Sequence, residues 1–291
     1  MHNQTTIILG PTAVGKTGYA INYAKENNCE IISADSMQVY VGMDIGTAKP
    51  TEAERAGIPH HLIDIRCPDE EWTVSDFVKE TNKLIPKIIE RGKTPLIVGG
   101  TGLYLWAFVN GFSFPMVPRD DQIRKQLESE PLTTLYSLLS KIDPVSAQKI
   151  HQNDKKRVIR ALEVFEITGK PISKLQGKGT ANFPGPPGRA FAGSLIGLNA
   201  PREKLYQKIN ERVDKMFEKG LVDEVGFLLK KGYDRTLQSM QALGYKEVIR
   251  FLLAELTYDE TVELLKKKTR NFARRQMVWF RRFDNVKWIE V

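Results

Sequence analysis

The chain has 291 residues, 41% hydrophobic and 27% charged, which is ordinary globular composition with ample core for one large domain or two. Met1-His2-Asn3-Gln4 has no apolar signal core and no 18-residue apolar run exists, so a cytoplasmic protein with no membrane partner is expected. The net charge of +8 is local, because 264–291 holds nine Lys/Arg against two Asp/Glu; that +7 points to a polyanionic partner, most simply nucleic acid.

Residues 5–9 are a β-branched apolar run that predicts a buried strand. Gly10-Pro11-Thr12-Ala13-Val14-Gly15-Lys16-Thr17 follows it and fits G-x-x-x-x-G-K-[ST], with the helical spacing of Tyr19, Ala20, Tyr23 and Ala24 behind. In that strand–loop–helix context the match is a phosphate site. Amides of the turn and helix N-terminus converge on an anion, Lys16 adds positive charge, and Thr17 offers a hydroxyl to Mg²⁺. A second buried strand is predicted at 29–34, and Asp35 closes it as a general base, a Mg²⁺ ligand or a helix cap. In Asp35-Ser36-Met37-Gln38-Val39-Tyr40, Gln38 can pair with an adenine edge while Tyr40 stacks on the base. Cys29 and Cys67 are too few for a disulfide framework or a zinc site, and His60-His61 lacks metal-ligand spacing.

Thr73 with Asp76 three positions on predicts a capped helix that stops at Arg91-Gly92. A third strand is predicted at 94–98, closed by Gly99-Gly100-Thr101-Gly102-Leu103-Tyr104, whose glycines let backbone approach a ligand beside the Thr101 hydroxyl. Breaker-rich stretches at 111–118 and 177–188 flank a helical region that includes Asp143-Pro144-Val145, a cap followed by proline at the first helical position. Residues 119–188 are thus expected to be an inserted all-helical domain on two flexible necks. It would either close over a substrate or dock rigidly on a core formed by 1–118 and 189–291. A fourth strand is predicted at 190–198, and the alternation of strands and helices gives a doubly wound α/β core.

Leu205, Ile209, Arg212 and Met216 have the spacing of a core-facing helical stripe. An arginine on it either snorkels to the surface or aims a forked cation at a phosphate pocket. In the C-terminal segment Leu265, Phe272, Trp279 and Phe283 fall on one helical face, while Lys267, Arg270, Arg274 and Arg281 fall on another that suits a phosphate backbone. The inserted region repeats the theme, with Lys156 and Arg160 one turn apart and Val158, Leu162 and Phe165 opposite.

Together these stretches resemble the tRNA dimethylallyltransferase family, the bacterial isopentenyl-tRNA transferases, over nearly the whole chain. The resemblance runs through Gly10–Thr17, Asp35–Tyr40, Gly42–Pro50, Gly99–Tyr104, Asn153–Glu163, Arg212 with Met216 and Gly220-Leu221, Gly244–Glu247, and Arg274–Arg281. Val14 and Thr17 stand where many members have Ser, and both changes keep the phosphate cradle. The family implies a P-loop NTPase-like parallel sheet with helices on both faces. It also implies transfer of a dimethylallyl group from dimethylallyl diphosphate to the N6 amine of the adenosine just 3′ of a tRNA anticodon, with Mg²⁺ as cofactor. Lys16, Arg212 and a Thr17-held Mg²⁺ would neutralise the leaving diphosphate, and Asp35 would take the amine proton. Thr101 would sit between amine and diphosphate, and Gln38 and Tyr40 would receive the flipped base. The tRNA, through its anticodon stem-loop, would meet Asp35, Ser36, Met37, Gln38, Tyr40 and Thr101, Arg124, the stretch Lys156, Arg157, Val158, Ile159, Arg160, and Arg270, Arg274 and Arg281. A monomer is expected. The rival readings are a P-loop kinase of a small metabolite or nucleotide, and a non-catalytic RNA-binding P-loop protein.

Overall fold

A computed structural model of the chain describes residues 5–113, 117–175, 177–178 and 191–291. The chain divides into two compact units, Met1–Val109 with Phe191–Val291, and Asn110–Ala190. The first unit begins with β1 (Thr6–Leu9), α1 (Lys16–Glu26), β2 (Cys29–Ser33), α2 (Glu52–Arg55), β3 (His60–His61), α3 (Val74–Glu90), β4 (Thr94–Gly99) and α4 (Gly102–Val109). The second holds β5 (Phe112–Ser113), α5 (Asp121–Ser129), α6 (Leu132–Ile142), α7 (Pro144–Lys149), α8 (Lys155–Thr168), α9 (Ile172–Leu175) and β6 (Gly177–Lys178). The first unit then resumes with β7 (Ser194–Asn199), α10 (Arg202–Glu218), α11 (Leu221–Lys230), α12 (Tyr245–Leu252), α13 (Tyr258–Phe280) and β8 (Val286–Glu290).

Six strands form one sheet in the order β3-β2-β4-β1-β7-β8, and every pairing in it is parallel. Parallel strands need long crossovers, which cover both faces with helices, so the inner strands are apolar on both sides. The strands obey this: Ile7, Ile8 and Leu9 of β1 are fully buried. Ile8 packs with Ile31, Leu96, Leu198, Ala20, Ile209 and Ala273, the α1, α10 and α13 side of the sheet. By the two-residue alternation of a strand, Ile7 and Ile97, paired in register, point to the other face, where α3 packs on β4. α3 starts with the expected capping box, Thr73 Oγ1 accepting from Asp76 N–H while the Asp76 carboxylate accepts from Thr73 N–H, and it ends at Arg91.

In the second unit Leu135, Leu139, Val158, Leu162 and Val164 make a small helical core, and Asp143 caps α7 through Ser146 N–H with Pro144 at the first helical position. Two expectations change here. The unit runs from 110 to 190 rather than from 119 to 188, and it is not all helical, because β5 and β6 pair antiparallel where the chain enters and leaves it. Most of the breaker-rich sequence expected to form flexible necks lies outside the described residues. Two further changes concern the sheet. The fourth predicted strand is β7, whose bounds are Ser194–Asn199, and the C-terminal segment does not stay helical, since β8 follows α13 and adds an edge strand to β7.

Candidate active site at the strand ends

Because the sheet is parallel, the carboxyl ends of β1, β4 and β2 share one rim, and each carries a segment singled out in the sequence. β1 leads into Gly10–Thr17, β2 into Asp35–Tyr40, and β4, which lies between them in the sheet, into Gly99–Tyr104. Thr12, Asp35, Ser36, Met37, Thr101 and Arg212 line one cavity of about 210 Å³, whose remaining wall is largely apolar and includes Val213, Leu243, Leu265 and Phe272. A second cavity of about 440 Å³ shares Arg212 and Met216 with the first and adds Thr17, Lys208, Lys215 and Lys219. The second cavity is polar and of mixed charge, since Asp44, Glu54 and Glu211 line it with its lysines and Arg212, whereas the first has an apolar wall.

The loop wraps the helix N-terminus as expected. Gly15 caps α1 in the left-handed region at φ 102°, which a side chain would disfavour. Lys16 is folded back, its Nζ donating to Gly10 O and Pro11 O at 2.8 Å each. Burial, with the Arg212 charge adding to it and Asp35 partly offsetting it, lowers its pKa to about 7. One loop amide is already committed, because Thr12 N–H donates to Gln276 Oε1 at 2.8 Å. Asp35 faces the cavity while its Oδ1 accepts from Met37 N–H at 2.9 Å and Gln38 N–H at 3.3 Å; no helix starts here, so these bonds close a turn rather than cap a helix, and they fix the carboxylate's direction. Thr101 Oγ1 accepts from Ser36 N–H at 3.1 Å, which joins the β4 turn to the β2 turn.

Arg212 reaches the site by a route the stripe did not give. The buried positions of α10 are Leu205, Ile209, Val213 and Phe217, one every four residues, and Arg212 lies one position off that row. It therefore faces the cavities, where Nη1 donates to Thr12 Oγ1 at 3.1 Å and, among the described residues, it makes no ion pair. Burial lowers its pKa, and Asp35 opposes that change. A cation held half-buried without a bound carboxylate is poised for an anionic ligand.

Several predicted site residues turn out to serve the protein itself. Tyr40 is fully buried and cannot stack on a base, and burial pushes its hydroxyl up to about 12. The Gln38 amide is spent on Ser33 Oγ and on the carbonyls of Thr47 and Ala48, so it has no free edge for adenine. The glycines at and beyond the end of β4 make room for protein: a Cβ would strike the Ala34 carbonyl at Gly99, Gln276 at Gly100 and Trp279 at Gly102. In the second unit, Val158 and Ile159 are core residues of α8. Arg124 and Arg160 both donate to the fully buried Glu163 carboxylate, Arg124 in a two-pronged pair at 2.9 and 3.0 Å. Burial raises the Glu163 pKa, but the Arg124 and Arg160 hydrogen bonds outweigh it and hold the carboxyl low. Lys156 and Arg157 are exposed on that helix. On α13 the buried row is Thr261, Leu265, Thr269, Ala273, Gln276 and Phe280, so Phe272 and Trp279 are only half-buried and Phe283 lies beyond the helix. Arg274 and Arg281 are exposed, whereas Arg270 donates to Asn210 Oδ1 at 2.6 Å.

Sequence reasoning gave no role to Gln276 or to Glu224. Glu224 accepts from the amides of Asp44, Ile45 and Gly46 and from the Tyr245 hydroxyl, and so pins the loop whose Gly46 and Thr47 line the first cavity. A polar residue on a buried helical row, as Gln276 is, was the available signal.

A glycine-rich loop on a parallel sheet, with an acid and, among the described residues, an unpaired arginine at the same rim, is the arrangement of a P-loop α/β transferase. The chain matches the IPP transferase family over residues 38–283. It is 50% identical over 294 residues to the tRNA dimethylallyltransferase of Carboxydothermus hydrogenoformans, covering 100% of this chain and 93% of that one. It is also 50% identical to the tRNA dimethylallyltransferase of Acetivibrio thermocellus, covering 97% and 90%. Among solved structures it resembles the tRNA isopentenylpyrophosphate transferase of Bacillus halodurans (TM-score 0.72, 44% identity, 99% and 90% covered). It likewise resembles a eukaryotic dimethylallyltransferase acting on tRNA (TM-score 0.82, 31% identity, 99% and 74% covered). The chain belongs to the IPP transferase family, whose curated members at this similarity are tRNA dimethylallyltransferases.

Proposed function

We propose that this protein transfers the dimethylallyl group of dimethylallyl diphosphate to N6 of the adenosine just 3′ of a tRNA anticodon and releases diphosphate. Besides its family, the observation that carries the reading is the cavity that brings Thr12 of the phosphate loop, Asp35, Thr101 and Arg212 onto one apolar-walled space. Diphosphate binds the loop amides and Lys16, with Arg212 at its flank. The dimethylallyl chain lies along the apolar wall, out of water. The adenine, turned out of its stack, presents its amine between Asp35 and Thr101. A bond forms between N6 and the allylic C1 as the C1–O bond breaks and its electron pair leaves with the diphosphate. The N6 proton passes to the Asp35 carboxylate. Lys16 and Arg212 meet charge where it develops, on the departing oxygens.

Mg²⁺ fits this donor set. The described residues hold no cluster of three or more His, Cys, Asp or Glu, and Thr17 contributes one hydroxyl at the cavity with the lysines. A hydroxyl oxygen is the kind of hard ligand that Mg²⁺ takes. Thr17 would hold Mg²⁺ there, and the ion would supply further charge neutralisation to the leaving group. The exposed arginines of α13, and separately Lys156 and Arg157 of α8, contact the tRNA backbone. The enzyme acts in the cytoplasm as a monomer. No described helix is long and apolar enough to cross a membrane.

The test is Asp35→Asn, which keeps an acceptor for the Met37 amide but removes the base. Transfer should fall roughly a thousandfold, within the range for loss of general-base catalysis, with tRNA affinity retained. Unchanged transfer would remove Asp35 from the chemistry. A P-loop kinase explains the loop and Asp35 equally well, but not the basic face of α13.

A further inference from the structure

Gln276 joins the two halves of the reaction centre, and we propose that it is a positioning residue that fixes the spacing between the diphosphate site and the acceptor site. The inference rests on the function proposed above. Gln276 is 4% exposed on α13. Its Oε1 accepts from Thr12 N–H at 2.8 Å, and its Nε2 donates to Gly100 O at 2.8 Å. One primary amide thus closes two backbone groups on two loops that follow different strands. The Thr12 end belongs to the leaving-group side, since Thr12 Oγ1 also accepts from Arg212. The Gly100 end belongs to the acceptor side, since the next residue, Thr101, holds Ser36 beside Asp35.

Packing alone does not call for this residue, because the neighbouring positions of the same buried row are Ala273 and Phe280. The main chain is also shaped around it. A Cβ at Gly100 would lie 2.5 Å from Gln276 Nε2, so a side chain there would push the amide off its carbonyl. Gln276 lines neither cavity, which separates it from residues that touch substrate. Its requirement is chemical as well as steric: one end must accept and the other must donate, without charge. A protonated glutamate meets that requirement, and an ionised one does not.

The experiment measures steady-state transfer to unmodified tRNA, tRNA binding, and binding of inorganic diphosphate for the wild type, Gln276→Met and Gln276→Glu. Each variant is compared with wild type at the same pH, so the titration of Lys16 divides out. Gln276→Met, which removes the amide that ties Thr12 N–H to Gly100 O, should lose roughly thirtyfold in kcat and tenfold in diphosphate affinity, with tRNA affinity within twofold. Gln276→Glu should be equally slow at high pH and recover to within about threefold of wild type as acid protonates a carboxyl whose pKa burial has raised. A residue that only packs α13 would lower the melting temperature of both variants and give a pH-independent ratio. That flat ratio, or wild-type kcat in Gln276→Met, overturns the proposal. Should both variants fail to fold, Gly100→Ala displaces the same amide and should show the same loss in kcat; full activity there overturns it too. Should the wild type transfer no prenyl group, the function proposed above fails instead, and equal diphosphate affinities in wild type and variants would then count against the strut itself.

Discussion

Arg212 in the first unit and the Arg124–Arg160 pair in the second are all half-buried arginines near an acid, yet they are engaged in opposite ways. Arg124 and Arg160 converge on Glu163, whose carboxylate is fully buried and also takes the Asp120 amide, so their charge is spent on holding α5 to α8. Among the described residues Arg212 gives a single hydrogen bond, to a threonine hydroxyl, and it lines two cavities. Counting cations on a helix treats the two regions alike. What tells them apart is whether a carboxylate already answers the charge: an answered arginine supports a fold, and an unanswered one at a cavity awaits a ligand.

The contrast can be broken first at Arg212. Replacing it with methionine should lower kcat by about a hundredfold, the scale of losing one preorganised stabiliser of transition-state charge, with little change in melting temperature. A large stability loss with normal turnover of the folded fraction would place it with the structural pair. Glu163→Gln should do the reverse. It leaves two partly exposed guanidiniums without their counter-charge and should cost about 2 kcal/mol in unfolding of the second unit, discounted for the solvent that reaches them. The Glu163 carboxyl is held below its ordinary range, so its stabilising contribution is present above the unfolded-state pKa and is lost as pH falls through the native one. The gap in melting temperature between wild type and variant should therefore close in acid.

Charge reversal at Arg274 and Arg281, both exposed, should weaken tRNA binding about tenfold and reduce its log–log salt slope by about one for each phosphate no longer neutralised. The smallest effect belongs to Lys16. With a free-enzyme pKa of about 7, it must be protonated to pair with diphosphate, so affinity should fall severalfold as pH rises above 7. Binding at pH 8 should then take up a proton, measurable by calorimetry in buffers of different ionisation enthalpy.

The strands that set the site were readable because they are buried on both faces: β1, β2, β4 and β7 stand out as short apolar runs between breakers. β3 is two histidines and β8 is an edge strand with exposed Lys287 and Trp288, and neither carries that signal. The placement of Gly10–Thr17, Asp35 and Thr101 at the strand ends was readable because each closely follows a buried strand in the local sequence. Gln38, Tyr40 and Arg124 were misread for one reason: residue type shows what a side chain can bind, not which neighbour across the fold has already bound it. Thr12 and Gln276 are 264 residues apart, and Arg124 and Glu163 are 39 apart. Arg212 was found through a stripe one position out of register, since a helical period read from four residues fixes a face only to within a neighbour.

The central claim is that the phosphates held by Gly10–Thr17 belong to a leaving group. It is tested most directly by incubating the purified protein and Mg²⁺ with an unmodified tRNA anticodon stem-loop and either dimethylallyl diphosphate or ATP, following nucleoside and phosphate products by mass spectrometry. The account predicts one N6-dimethylallyl adenosine and one diphosphate formed per turnover with the prenyl donor, and no RNA product with ATP. Consumption of ATP with a phosphorylated product, and no prenylated adenosine from dimethylallyl diphosphate, would contradict it.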